Sequence, residues 1–215
     1  MSMQMTRTGW VGIALIAAGL CVFGGRVVWS KTRTWVPIDM PVSLSQGQIR
    51  IPEFTTNLKA QYIIEIEVQK KIPFDTLNCL LGVEPDHSHP EKCTNTPSVV
   101  NASWVLSSRG DAMARGSTAK DKLGSWGNDV ISRQIGGFES ERGRHYTLDV
   151  TFLGDGSPLA AGNPRLKVGA HPMYYESDAF ADILFLVMTT ILVLAGAIML
   201  VVCTLRARHI GRELH

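Results

Sequence analysis

Three short stretches carry residue types that could do chemistry. Ser117-Thr-Ala-Lys120 has the S-x-x-K spacing that, on a helix, places a lysine one turn from a nucleophilic serine. Its flanks are polar and glycine-rich and no K-T-G follows, so the stretch reads as a solvated loop rather than an acylation centre. Asp86-His87-Ser-His89, with Glu84 and Glu91 on either side, offers imidazole and carboxylate donors of the kind that hold borderline metals. A loop this polar reads first as a solvated one, and no metal is assigned to it. Arg109-Gly110-Asp111 is an integrin-like tripeptide that also suits the tip of a hairpin. There is no P-loop, dinucleotide fingerprint, G-x-S-x-G or H-E-x-x-H. A nucleophile, a base and a group to orient them never come together, so no catalytic residue, no cofactor and no enzymatic activity are expected. The polar run Glu84, Asp86, His87, His89 and Glu91 is instead the candidate partner-binding loop.

That loop lies between Cys79 and Cys93. Two cysteines in an oxidising compartment pair, and a loop of this length closed by a disulfide gains about 3 kcal/mol in the chain-entropy model. The segment from Gly82 to Thr96 is then stapled at its base. The spacing does not match a zinc site. The other two cysteines, Cys21 and Cys203, fall in apolar runs.

The elements that must position this loop have a hydrophobic period of two. Tyr62, Ile64, Ile66 and Val68 alternate with Ile63, Glu65, Glu67 and Gln69, and Tyr146, Leu148, Val150 and Phe152 alternate with Thr147, Asp149 and Thr151. Both runs are half-buried strands. Weaker strands are expected over 36–44, 49–54, 77–83, 103–106, 130–138 and 166–168. No amphipathic helix is expected between the apolar runs. About eight short strands with regular turns predict an all-β antiparallel sandwich, Ig-like or jelly-roll-like. Gly143 permits a tight turn, and Tyr146, at the strand entrance, could bury its ring and tie its hydroxyl back to the corner.

Two apolar runs flank this domain. The run from Ile183 to Leu205 carries no charge and is long enough to cross a ~30 Å hydrocarbon core. The run from Trp10 to Trp29 is interrupted only by Arg26, which is expected to snorkel toward head groups, with a tryptophan at either interface. A cleaved signal peptide is the competing reading, but no small-x-small site follows, and Leu20 spoils the lipobox-like Ala18-Gly19-Leu20-Cys21. Arg206, Arg208 and Arg212 follow the second run and acidic residues precede it, so the C-terminus is expected inside. Around the first run Arg26, Lys31 and Arg33 argue the other way, against Arg7 alone. The expected order is a cytoplasmic N-terminus (1–9), a transmembrane helix (10–29), a periplasmic sandwich (30–178), a second transmembrane helix (179–205) and a basic cytoplasmic tail (206–215). The compartment is the bacterial inner membrane. The formal net charge is +2. Acidic and basic residues nearly cancel within the middle domain, so no nucleic-acid surface is expected.

Ser125-Trp126-Gly127-Asn-Asp129, Ile135-Gly136, Gly143-Arg-His-Tyr146-Thr-Leu148 and Asn163-Pro164-Arg-Leu166-Lys-Val168 together resemble the C-terminal half of small β-sandwich domains on bacterial envelope lipoproteins, some of them immunity-protein-like. The likeness runs over about residues 125–168 and transfers no functional residue. It implies a binding module that captures a protein partner, such as a delivered toxin. The alternative is a structural or accessory subunit of a larger envelope complex. Small residues Gly12, Gly19, Ala195, Gly196 and Ala197 would allow close helix packing and a helix-mediated oligomer. The expected partners are therefore the lipid bilayer and a protein.

Overall fold

The computed structural model describes residues 7–83, 93–119 and 123–213. It divides into two units, one comprising Thr34–Pro172 and the other the two ends of the chain.

Among the described residues the Thr34–Pro172 unit has nine strands in two antiparallel sheets. The strands are β1 (Ile38–Pro41), β2 (Gly47–Thr56), β3 (Gln61–Gln69), β4 (Ala102–Ser108), β5 (Asp111–Ser117), β6 (Gly124–Trp126), β7 (Val130–Glu139), β8 (Arg144–Phe152) and β9 (Arg165–Ala170). One sheet runs β1-β9-β3-β7-β6 and the other β2-β8-β4-β5. The alternation in β3 and β8 sends Tyr62, Ile64, Ile66 and Val68 from one sheet, and Tyr146, Leu148, Val150 and Phe152 from the other, into the core. This is a sandwich-like β fold.

Two features pin the sheets together. Trp104 of β4 is buried against β7, where a Cβ on Gly136 would lie 2.2 Å from the indole nitrogen. The β3–β7 register shifts next to Gln134, a bulge that leaves the Ile135 carbonyl outside the regular ladder. The Trp104 indole N–H donates to that carbonyl at 2.8 Å. Farther along β7, Phe138 stacks on Tyr62 at 5.7 Å and meets Tyr146 at 5.4 Å, with Phe54 5.8 Å from Tyr146. The four rings come from β2, β3, β7 and β8, two from each sheet. Tyr146 is 2% exposed and its hydroxyl accepts the Glu141 N–H at 2.9 Å. Gly143 turns that corner at φ 75°, and its N–H donates to the Thr56 carbonyl at 2.6 Å.

The segment expected as a strand over 77–83 is instead a helix, α2 (Phe74–Leu81). Its two turns bury Leu77 and Leu81, four residues apart on one face. Pro73 starts it, Asp75 sits in its first turn, and Gly82 ends it at φ 72° with its N–H on the Asn78 and Cys79 carbonyls. The expectation of no helix in this domain is corrected accordingly. A 3₁₀ turn over Ser157–Gly162 precedes β9.

The second unit holds α1 (Arg7–Lys31) and α3 (Pro172–Glu213), each long and apolar enough to cross a membrane. Proline at the first position of α3 suits a helix start, because its missing N–H is unused there. The helices pack through glycine: a Cβ on Gly12 would sit 2.9 Å from the Gly196 carbonyl oxygen, and one on Gly19 3.0 Å from Val193 Cγ2. Arg26, expected to snorkel, is 7% exposed. Its Nη2 lies 2.9 Å from Asp178 Oδ1 and its Nε donates to Asp182. Carboxylates on the facing helix hold the guanidinium that a lone helix would have to send to the head groups.

Replacing Tyr146 with alanine is expected to cost the sandwich about 3–5 kcal/mol, and Tyr146→Phe about 1 kcal/mol for the hydroxyl alone. Urea unfolding of the 34–172 segment, followed by circular dichroism, measures both. An alanine cost well below 1 kcal/mol would be incompatible with a buried ring.

Candidate partner-binding site

The site is the base of the stapled loop. Cys79, in α2, is bonded to Cys93, with Cα atoms 5.3 Å apart. The candidate residues Glu84, Asp86, His87, His89 and Glu91 lie outside the described residues. The described residues define what holds the two ends, Val83 and Cys93. Val83 is buried against β6, where a Cβ on Gly124 would come within 2.4 Å of it. After the loop the chain is tied back by the Val99 N–H, which donates to the Leu80 carbonyl at 2.9 Å.

At the centre of this base is Arg133. It points inward from β7, in line with Ile131, and is 4% exposed. Its Nη1 donates to the Leu81 carbonyl, to Ser98 Oγ at 2.9 Å and to the Val100 carbonyl at 3.0 Å. Its Nη2 donates to the Thr118 carbonyl at 3.0 Å. One guanidinium thus gathers the end of α2, the chain leading from Cys93 into β4 and the end of β5. Burial pulls its pKa below the usual arginine value. Gly82 is required here for space as well as for its φ, since a Cβ would come 2.3 Å from Ser98 Oγ and 2.6 Å from Arg133 Nη1.

Beside the base two aromatic rings face solvent. Trp126 of β6 is 51% exposed and Phe74 of α2 is 46% exposed. The Trp126 indole N–H donates to Asn78 Oδ1 at 3.1 Å. Asn78 is one turn along α2 from Phe74, so both rings belong to one patch. The Lys70 ammonium lies 5.5 Å from the Phe74 ring and donates to the Gly127 carbonyl at 2.6 Å. The Trp126 ring is therefore held in one orientation within the fold. Sequence reading missed this pair. The proline before Phe74 was the available sign of a helix start, and a tryptophan on a three-residue edge strand has no partner strand to cover it.

The other sequence candidates fall elsewhere. Ser117 ends β5 and pairs with Ser103, and Thr118 is tied to Ala102 through its N–H and its Oγ1. The described part of S-x-x-K is therefore strand and turn; Lys120 lies outside the described residues. Arg109 and Gly110 are the two central residues of the β4–β5 turn, at φ 54° and 90°, the backbone of a type I′ hairpin. Gly143 and Tyr146 belong to the aromatic corner. On the outer face of the five-stranded sheet, Lys167 bridges Glu67 at 3.4 Å and Glu65 at 3.7 Å. Burial raises the Glu65 carboxyl above its usual range against the opposing pull of Lys167. Among the described residues no three His, Cys, Asp or Glu side chains are grouped to hold a metal.

No family model and no curated protein matches this chain. The chain is similar to a protein of known crystal structure from Sulfurospirillum deleyianum, at 10% identity and a TM-score of 0.47, over 63% of this chain and 97% of that one.

Arg133→Ala is expected to leave three buried carbonyls, and Ser98 Oγ, without this donor and to destabilise the sandwich by about 3–5 kcal/mol. Arg133→Lys keeps the charge but cannot reach all four acceptors at once, and should recover only part of the loss. Thermal or urea unfolding of the three proteins ranks them. An Arg133→Ala protein as stable as the parent would remove Arg133 from its place at the centre of the base.

Proposed function

We propose that this protein is a two-pass protein of the bacterial inner membrane whose periplasmic sandwich binds a protein partner, in the manner of an immunity protein facing a delivered toxin. The observation that carries the reading is the pre-organised base of the 84–92 loop: a disulfide, a buried arginine and an oriented, half-exposed tryptophan meet there. Fixing the two ends of a segment before contact reduces the entropy lost on binding. Exposed aromatics held in one orientation are the residues that dominate interface energy. The disulfide supports an oxidising compartment. Arg206, Arg208 and Arg212, beyond the apolar part of α3, support an inside C-terminus and, with two spans, an inside N-terminus. The tie from Tyr146 to Glu141 favours an Ig-like sandwich over a jelly roll.

Topology is tested by reporters inserted at the Arg109-Gly110 turn. A periplasmic reporter is expected to be active there and a cytoplasmic one silent; the reverse result overturns the assignment.

Partner binding is tested by cross-linking in native membranes. Deleting Pro85 to Pro90, or Trp126→Ala, is expected to reduce partner capture by about tenfold, equivalent to ~1.4 kcal/mol, with the domain still folded. Should both leave capture unchanged while exchange of α3 for an unrelated helix abolishes it, the protein is a structural subunit docking through its helices.

A further inference from the structure

The helix pair carries charges that the binding reading does not use. Arg26 is buried in α1, between Asp178 and Asp182 of α3, and a second bond runs from its Nη2 to the Asp178 carbonyl at 3.1 Å. Arg33 Nη1 lies 3.7 Å from Asp178. The Trp29 ring is flanked by both guanidiniums, at 4.3 Å and 3.5 Å. Gly12, Gly19 and Arg26 recur every seventh residue on α1, and all three are buried. That spacing keeps one stripe of a helix facing its partner. The stripe therefore has two close backbone approaches and, at one end, a charge whose counter-ions among the described residues are on the opposite helix. Leu20, Phe23 and Val28 of α1, and Ile183, Leu186 and Leu194 of α3, remain exposed.

We propose that α1 and α3 are a charge-matched hairpin in which α1 is retained in the membrane only once α3 supplies Asp178 and Asp182. An arginine in an apolar segment without a counter-ion is costly and weakens insertion. Here the counter-ions come from a helix made about 150 residues later in the chain. Stable anchoring is thus conditional on synthesis of the whole protein, and a chain that stops before α3 lacks the charges that hold its first helix. The proposal rests on the reading that both helices are membrane spans.

The test uses the full-length chain in cells, with carbonate extraction of membranes as the measure of integration. The parent should resist extraction; a parent released by carbonate would defeat the membrane reading itself. Because α3 is long and apolar enough to anchor the chain alone, retention of α1 is read separately, as protection of Cys21 in α1 from an aqueous maleimide in unsealed membranes, in a Cys203→Ser background. Asp178→Ala with Asp182→Ala is expected to raise Cys21 labelling by about tenfold over the parent. Adding Arg26→Leu to that double variant should restore protection, because the carboxylates are needed only while the arginine is present. A structural role for the two aspartates unrelated to Arg26 would not be rescued in this way. With the parent resistant, the proposal is overturned if the double variant protects Cys21 as well as the parent or if Arg26→Leu fails to restore protection.

Discussion

The arrangement of the sandwich at its stapled end depends on one buried cation. Arg133 occupies a strand position that its neighbours Ile131 and Ile135 give to the core. A guanidinium placed there loses its water, and the loss is tolerated only because carbonyl and hydroxyl oxygens replace it. Those four oxygens come from three separate segments of the chain: Leu81, Ser98 with Val100, and Thr118. An aliphatic side chain would fill some of the volume but leave those oxygens without this donor. The placement of α2, and with it Cys79 and Phe74, follows from this set of bonds.

Five positions away on the same strand the problem is solved differently. Around Phe138 the sheets meet through packed rings, whose tyrosine hydroxyls reach backbone groups at the rim: Tyr146 at the Glu141 N–H and Tyr62 at the Thr34 carbonyl. Aromatic packing there needs no desolvated charge and contributes through area and ring geometry. The cationic end instead organises irregular chain: a helix end, a loop return and the end of an edge strand. Such segments have backbone groups that no ladder satisfies, so a multi-donor side chain suits them.

Much of the β framework was legible in the sequence, because half-buried strands must alternate and β3 and β8 do so, Ile63 being the one apolar residue on the outward side of β3. The disulfide was legible from cysteine placement. Other elements were hidden for identifiable reasons. α2 has only two turns, too short for a helical period to stand out from a strand-like run of leucines. β5 reads Asp-Ala-Met-Ala-Arg-Gly-Ser, with none of the branched or ring side chains that mark a strand. Arg133 was not recognised as a core residue, since arginine within a strand ordinarily means an outward face. Arg26 was assigned to the head groups because its counter-ions lie at the far end of the chain, beyond the reach of any local pattern. The exposure of Phe74 and Trp126 depends on which strand forms the sheet edge, and that is a property of topology.

Trp104 has a bearing on how this sequence can change. Its indole occupies the space that side chains at Gly116 and Gly136 would need, at 2.9 Å and 2.2 Å from their hypothetical Cβ atoms. The three positions share one fixed volume. A smaller residue at 104 alone opens a void, and a larger one at 116 or 136 alone collides with the indole, so either step is unfavourable by itself. Taken together, the two changes could offset each other. Drift at these sites should therefore proceed by paired exchange, and the tryptophan with its two glycines would be inherited as a block even where the surrounding strands diverge.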